Sequence, residues 1–267
     1  MASKDLVYYV IGGAAKYADL LKFSLETLRG YAENRKYDIL VICDESYKLN
    51  IVDLPQVHIH VCEPNADHIK ASMRKLEVFS WPKISDYARA LYLDCDIVVC
   101  GSLDPLFNMI SNPDILYVVN ETFGWCSYYE CKDTPYSKSD LEAFQKLNIL
   151  PFNAGQFAFS LSPNMRSHFE AICKRMSLGY DANLHFYEQS FMNDYFNRRG
   201  ITNSKPDNKL GTYVTLFAQY LQKPSGAILA HFCDAGMPSE QKLENMRKYK
   251  MQQQPQAPTP RPTKYIL

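Results

Sequence analysis

Three features of this 267-residue sequence predict an α/β fold with a mostly parallel central sheet flanked by helices. Short β-branched and aromatic runs, bounded by turn residues, recur along the chain as buried strands do. Stretches with apolar residues at helical spacing alternate with them, which is the pattern of βαβ units. One of the runs, Ala90–Leu93, ends at two carboxylates one residue apart, Asp94 and Asp96. The carboxyl edge of an open α/β sheet is where such folds bind ligands.

Taken in order, Leu6–Ile11 (LVYYVI) reads as the first buried strand, closed by the turn signal Gly12-Gly13. Tyr17, Leu20, Leu21, Leu25 and Leu28 then share one helical stripe, and Gly30 can end that helix. Ile39–Cys43 is a second strand, closed by Asp44-Glu45. Val57–Val61 (VHIHV) alternates, so it reads as an edge strand with His58 and His60 on its exposed face, although histidines at i, i+2 also suit a metal. Residues 71–87 read as helical, in two pieces split at Pro82, because proline cannot continue the first piece. Arg74, Lys75 and Arg89 lie close to the acidic pair in sequence; such cations can meet phosphate oxygens, and at least one is expected to face solvent.

Ile97–Val99 follows the acids as another apolar run, and Ile115–Val119 as a further strand. Residues 120–139, with Trp125, Tyr128 and Tyr129, lack periodicity and read as an irregular loop region, a frequent seat of specificity. Phe152–Leu161 is a strand opened by Asn153-Ala154-Gly155, whose glycine permits close backbone approach to a ligand. Ser162-Pro163-Asn164 starts a helix with Met165, Phe169, Ile172 and Met176 on its core face. Residues 187–196 form another helix, opening on Glu188-Gln189, and Ala227–Ala230 leads to His231. From residue 251 the composition shifts to glutamine and proline (Pro255, Pro258, Pro260, Pro262), the mark of a linker or flexible tail. The expected organisation is one domain over residues 1–250 and a tail over 251–267.

Lys+Arg and Asp+Glu both number 29, so no basic footprint for nucleic acid exists. No apolar run is long enough to span a bilayer, and the N-terminal run is too short for a signal peptide. Eight cysteines without a C-x-x-C pair argue against structural zinc and for a cytoplasmic, reducing setting. Burying Asp94 and Asp96 with no nearby cation costs several kcal/mol, roughly. A divalent ion removes that cost, and hard oxygens suit magnesium or manganese. The expectation is a metal–diphosphate site; the alternative is a pair of solvated acids in a loop.

Together these motifs resemble glycosyltransferase family 8. The resemblance runs from about Val7 to about Pro238 and centres on RKLEVFSW…YARALYLDCDIVVCGSLDPLF. It implies a GT-A, Rossmann-like fold and a retaining hexosyltransferase that uses a nucleotide sugar, a UDP-sugar by expectation, and a glycan or protein acceptor. By the same resemblance Asp94, Asp96 and His231 bind manganese, with magnesium the alternative. Val10, Gly12, Tyr17, Lys75, Asp94, Cys95, Asn153, Ala154 and Gly155 line the donor. Glu188 and Gln189 match an Asp-Gln pair under the anomeric carbon, and Asn193 matches a later asparagine of that motif.

Three departures stand out. Gly13-Ala14-Ala15-Lys16 replaces the acidic or amide residue expected near uracil, and Glu188 is one methylene longer than Asp. Met237 stands where a phosphate-binding lysine is expected, so Lys75 or Lys242 substitutes or the lid is built differently. These departures motivate a second reading, a nucleotide-sugar or glycan-binding protein without turnover. A third, a phosphohydrolase using Asp94 as nucleophile, requires the acid pair on the first strand.

Overall fold

The computed structural model describes residues 4–12, 17–47, 57–63, 72–121, 137–178, 187–204, 209–222, 225–234 and 236–253. Its strands are β1 (Lys4–Ile11), β2 (Asp38–Asp44), β3 (Val57–Cys62), β4 (Tyr87–Leu93), β5 (Ile97–Val99), β6 (Tyr117–Asn120), β7 (Phe152–Ser160), β8 (Val214–Thr215) and β9 (Leu229–His231). Its α-helices are α1 (Tyr17–Arg29), α2 (Asp104–Asn108), α3 (Lys138–Lys146), α4 (Pro163–Leu178), α5 (Tyr187–Arg199) and α6 (Ser239–Gln253).

The main sheet has six strands in the order β3-β2-β1-β4-β7-β6. The first four are mutually parallel. Strand β7 is antiparallel to both β4 and β6, so β6 runs with the parallel set. The chain steps outward from β1 to β2 and β3, then returns to lay β4 on the other side of β1. That reversal opens a crevice at the carboxyl ends of β1 and β4. Alternation along β1 feeds both layers: Val7, Tyr9 and Ile11 join the core under α1, while Leu6 and Tyr8 join the opposite one with Phe157, Phe159 and Phe169. A second sheet, β5-β9-β8, extends the first layer.

Several expectations change in detail. Tyr17 shares the face of Leu20, Leu21, Leu25 and Leu28 but is 38% exposed, because as the first residue of α1 it stands at the end of that stripe. The stretch before β4 breaks at Pro82 as expected, yet its pieces, Arg74–Ser80 and Ile84–Asp86, are 3-10 rather than α-helical, and Tyr87 already belongs to the strand. Strand β3 is indeed at the edge, but His58 packs on Trp81 and His60 lies 3.1 Å from Ser80 Oγ, so that face is half-buried rather than fully exposed. Arg89 does not reach the site: its side chain, 30% exposed, grips Asp5 with two hydrogen bonds, 2.7 and 2.6 Å. Helix α3 begins inside the stretch read as loop, where Ser137 and Asp140 form a reciprocal cap. Trp125, Tyr128 and Tyr129 lie outside the described residues. Helix α6 carries through Gln253, so the first residues assigned to the tail are helical. Among the described residues no helix is long and apolar enough to cross a membrane.

Candidate active site

Strand β4 is buried to its end, so the first residue past it, Asp94, is held at the crevice. Its N–H donates to Gly155 O at 2.7 Å, tying it to β7. Two residues on, the carbonyl of Asp96 accepts the Phe232 N–H at 3.0 Å. The acid turn is thereby fixed between the two sheets. Pairing of β5 with β9 sets Ile97 opposite His231 and so delivers an imidazole from 135 residues downstream. His231 Nε2 lies 3.1 Å from Asp96 Oδ1 and 3.9 Å from Asp94 Oδ2.

The ligand atoms of Asp94, Asp96 and His231 all fall within 4.8 Å of one another. Two further observations fit a metal here. His231 Nδ1 is buried with no hydrogen-bond partner among the described residues, so that nitrogen is not consumed by structural bonding, while Nε2 faces Asp96. Gly155 also keeps the space open: a Cβ there would overlap His231 Cε1 and stand 2.7 Å from Asp94 Oδ2. The donor set of two carboxylates and one imidazole suits a divalent first-row ion.

The acids do have cations beside them. Lys75 Nζ lies 3.2 Å from Asp94 Oδ1 and 2.6 Å from Glu188 Oε1. Lys242 Nζ, from α6, lies 2.6 Å from Asp96 Oδ2. Burial opposes ionisation of Asp96, but His231 and Lys242 outweigh it and hold the carboxyl well below its ordinary range. Burial likewise opposes charge on Lys75, and Asp94 and Glu188 outweigh it, raising its pKa. Tyr92 completes the shell by donating its hydroxyl to Asp94. Among the described residues, three acids thus face two ammonium groups.

The other candidates gather around this cluster. Ala154 O accepts from Lys75 Nζ at 3.4 Å, and its N–H donates to Gln189 Oε1 at 2.7 Å. Asn193 brackets Phe152, accepting its N–H at 2.8 Å and donating to its carbonyl at 2.9 Å. Helix α5 is thereby locked to the opening of β7. Asn153 Oδ1 accepts the Gly155 N–H at 2.9 Å. Val10 O and Cys95 Sγ meet at 3.4 Å across the crevice, and burial first, then Asp94, pushes the Cys95 thiol far up, keeping it neutral. Gly12 ends β1 and Tyr17 begins α1; residues 13–16 between them, with the departure near uracil, lie outside the described residues. Met237 accepts from Asn245 Nδ2 at 3.3 Å on α6, and Lys242 is the cation that reaches the acids from that side.

Glu121 was missed. It follows β6, accepts from Asn153 Nδ2 at 2.8 Å, and lies 3.4 Å from Gln189 Nε2. The signal that could have found it was the one that marked Asp94: an acid just past a strand of the parallel set.

A family profile described as Glycosyl transferase family 8 matches residues 10–237. No curated protein sequence matches. Among solved structures, an active-site mutant of LgtC aligns with TM-score 0.63 and 16% identity over 91% of this chain and 95% of that one. The galactosyltransferase LgtC in complex with donor and acceptor sugar analogues aligns with TM-score 0.60 and 16% identity, covering 92% and 96%. The apo form of GlyE from Streptococcus pneumoniae TIGR4, also a glycosyltransferase, aligns with TM-score 0.57 and 12% identity over 92% of this chain and 60% of that one. At these identities the structures speak for the fold, which is the GT-A architecture expected from the motifs. The profile spans most of the chain and includes both acids and His231, so this protein belongs to glycosyltransferase family 8.

Proposed function

We propose that the protein transfers a hexose from a nucleotide sugar, UDP-linked, to a glycan or protein acceptor with retention of configuration and with a divalent cation, manganese in preference to magnesium. The observation that carries this reading is the convergence of Asp94, Asp96 and His231 at the sheet edge. An imidazole among carboxylate oxygens favours manganese. When bound, such an ion supplies Lewis-acid stabilisation of the leaving diphosphate. Asp94, Asp96 and His231 would hold it.

The remaining work falls to the chain's own groups. Lys75, its ammonium fixed between Asp94 and Glu188, offsets charge building on the departing phosphate oxygens. Glu188 aims that ammonium and lends negative charge to the face of an oxocarbenium-like sugar. Gln189 holds the Ala154 N–H, so Asn153-Ala154-Gly155 keeps the backbone shape that lines the sugar. Val10, Gly12, Tyr17 and Cys95 would flank the nucleotide. A cytoplasmic setting is supported by free thiols at Cys43, Cys62, Cys95, Cys100, Cys173 and Cys233.

A second reading, donor binding without turnover, is favoured by Lys242 lying on Asp96. One assay separates the two: release of UDP and free sugar from UDP-hexoses with manganese. Turnover abolished in Asp94→Ala and Asp96→Ala is the expected result. Binding of UDP with no turnover on any donor would select the second reading, and full activity in both variants would discard the proposed site.

A further inference from the structure

Both oxygens of Asp96 are already engaged. Oδ1 faces His231 Nε2 at 3.1 Å, and Oδ2 faces Lys242 Nζ at 2.6 Å. Lys242 belongs to the inward face of α6, one turn before the buried Met246 and in line with Tyr249 and Lys250. Those later residues seat the helix: Met246 and Tyr249 enter the core, while Lys250 reaches Val99 O at 3.3 Å. A position on such a stripe ordinarily carries an apolar side chain. Here it carries an ammonium group, 12% exposed, aimed at a carboxylate that also belongs to the metal cluster.

We infer that Lys242 is an internal counter-ion for Asp96 which a divalent cation must displace. The inference rests on the proposed metal site. Two like charges cannot crowd one carboxylate that is only 15% exposed without repulsion. A lysine, unlike an arginine, is a point charge on a flexible four-carbon stem and can leave. The seated helix stays while the side chain swings away. In this protein metal binding therefore includes breaking an ion pair, so the acids remain paired in the metal-free state.

The test is a manganese titration of the full chain by calorimetry, without substrate, on wild type, Lys242→Met and Asp96→Asn, together with labelling of Lys242 by an amine-reactive reagent read by mass spectrometry. Lys242→Met, similar in size and uncharged, is expected to bind manganese about tenfold tighter than wild type, since no pair has to break first. Asp96→Asn is expected to bind more weakly than wild type. In wild type, manganese is expected to speed labelling of Lys242 several-fold. Equal or weaker binding by a folded Lys242→Met, or labelling indifferent to manganese, would overturn the inference and leave the metal site standing. Manganese binding by neither wild type nor Lys242→Met would overturn the metal site as well. Should Lys242→Met fail to fold, the wild-type labelling decides alone.

Discussion

Helix α5 carries two charge clusters, one at each end, and they are built differently. At its start, Glu188 joins Asp94 and Asp96 against Lys75 and Lys242, so among the described residues acids outnumber ammonium groups. Near its end, Asp194 is fully buried and takes one guanidinium on each oxygen, from Arg175 and Arg198. Arg198 reaches on to Asp140 at 2.6 Å, which closes a balanced set of two acids and two arginines. Guanidinium groups are rigid forks that fix geometry, whereas ammonium groups are movable points. The balanced, arginine-built cluster secures the helix. On the proposed function, the acid-rich, lysine-built cluster is the one whose charges a ligand can take over.

Neutralising one acid in each cluster tests this distinction with the largest effects. Asp94→Asn is expected to lower transfer by on the order of 10³-fold. Its stability should change by less than about 1 kcal/mol, because Lys75 retains Glu188 at 2.6 Å. Asp194→Asn is expected to do the reverse. Breaking a buried pair costs about 3–5 kcal/mol. Arg175 and Arg198 are 42% and 37% exposed, so water recovers part of this, and a loss of about 2–3 kcal/mol is expected with turnover per folded molecule unchanged. Urea unfolding beside a UDP-release assay reads both quantities. Equal destabilisation by the two variants would erase the difference between the clusters.

The sequence made the balanced cluster hard to see and the acid-rich one partly visible. Asp94 was legible because a short apolar run stops at it, and Lys75, Gly155 and Glu188 came with the motif order. The main strands and α4 were legible because burial follows spacing: Met165, Phe169, Ile172 and Met176 are all buried. Lys242 reads from the sequence only as a stand-in for Met237, since nothing local says that a lysine beyond β9 folds back onto Asp96. Glu121 was invisible as a partner because its contacts cross from β6 to β7 and α5. Arg89 illustrates the converse error. Proximity in sequence to the acids suggested a phosphate contact, but β4 separates it from Asp94 along the strand, and Asp5 claims it. The two 3-10 pieces before β4 escaped because their apolar spacing resembles that of an α-helix over so few residues.

A smaller effect sharpens the account of the acid-rich cluster. Gly155→Ala would drive a methyl group into His231 Cε1 and set it 2.9 Å from Asn153 Oδ1. His231 is held by its strand and Asn153 by its own hydrogen bonds, so neither yields freely. A displacement of that kind at a reacting centre can cost about 10²-fold in rate. Manganese affinity is expected to fall with it, while the unfolding midpoint moves less than in Asp194→Asn. Wild-type affinity and rate in Gly155→Ala would mean that the histidine and the acids do not act as one site.

The gentlest change keeps charge and alters only its shape. Arg198→Lys retains a cation beside Asp194 but loses the second arm that reaches Asp140. If the fork is what secures the end of α5, stability should fall by about 1 kcal/mol, a figure kept small because the side chain is more than one-third exposed and screened. Because α5 also presents Gln189 to Ala154 and Asn193 to Phe152, the loosened end should raise hydrogen exchange along the helix before it lowers turnover. An unchanged exchange pattern would show that charge alone, and not guanidinium geometry, holds this end of the helix, and the contrast between the two clusters would then reduce to their charge balance.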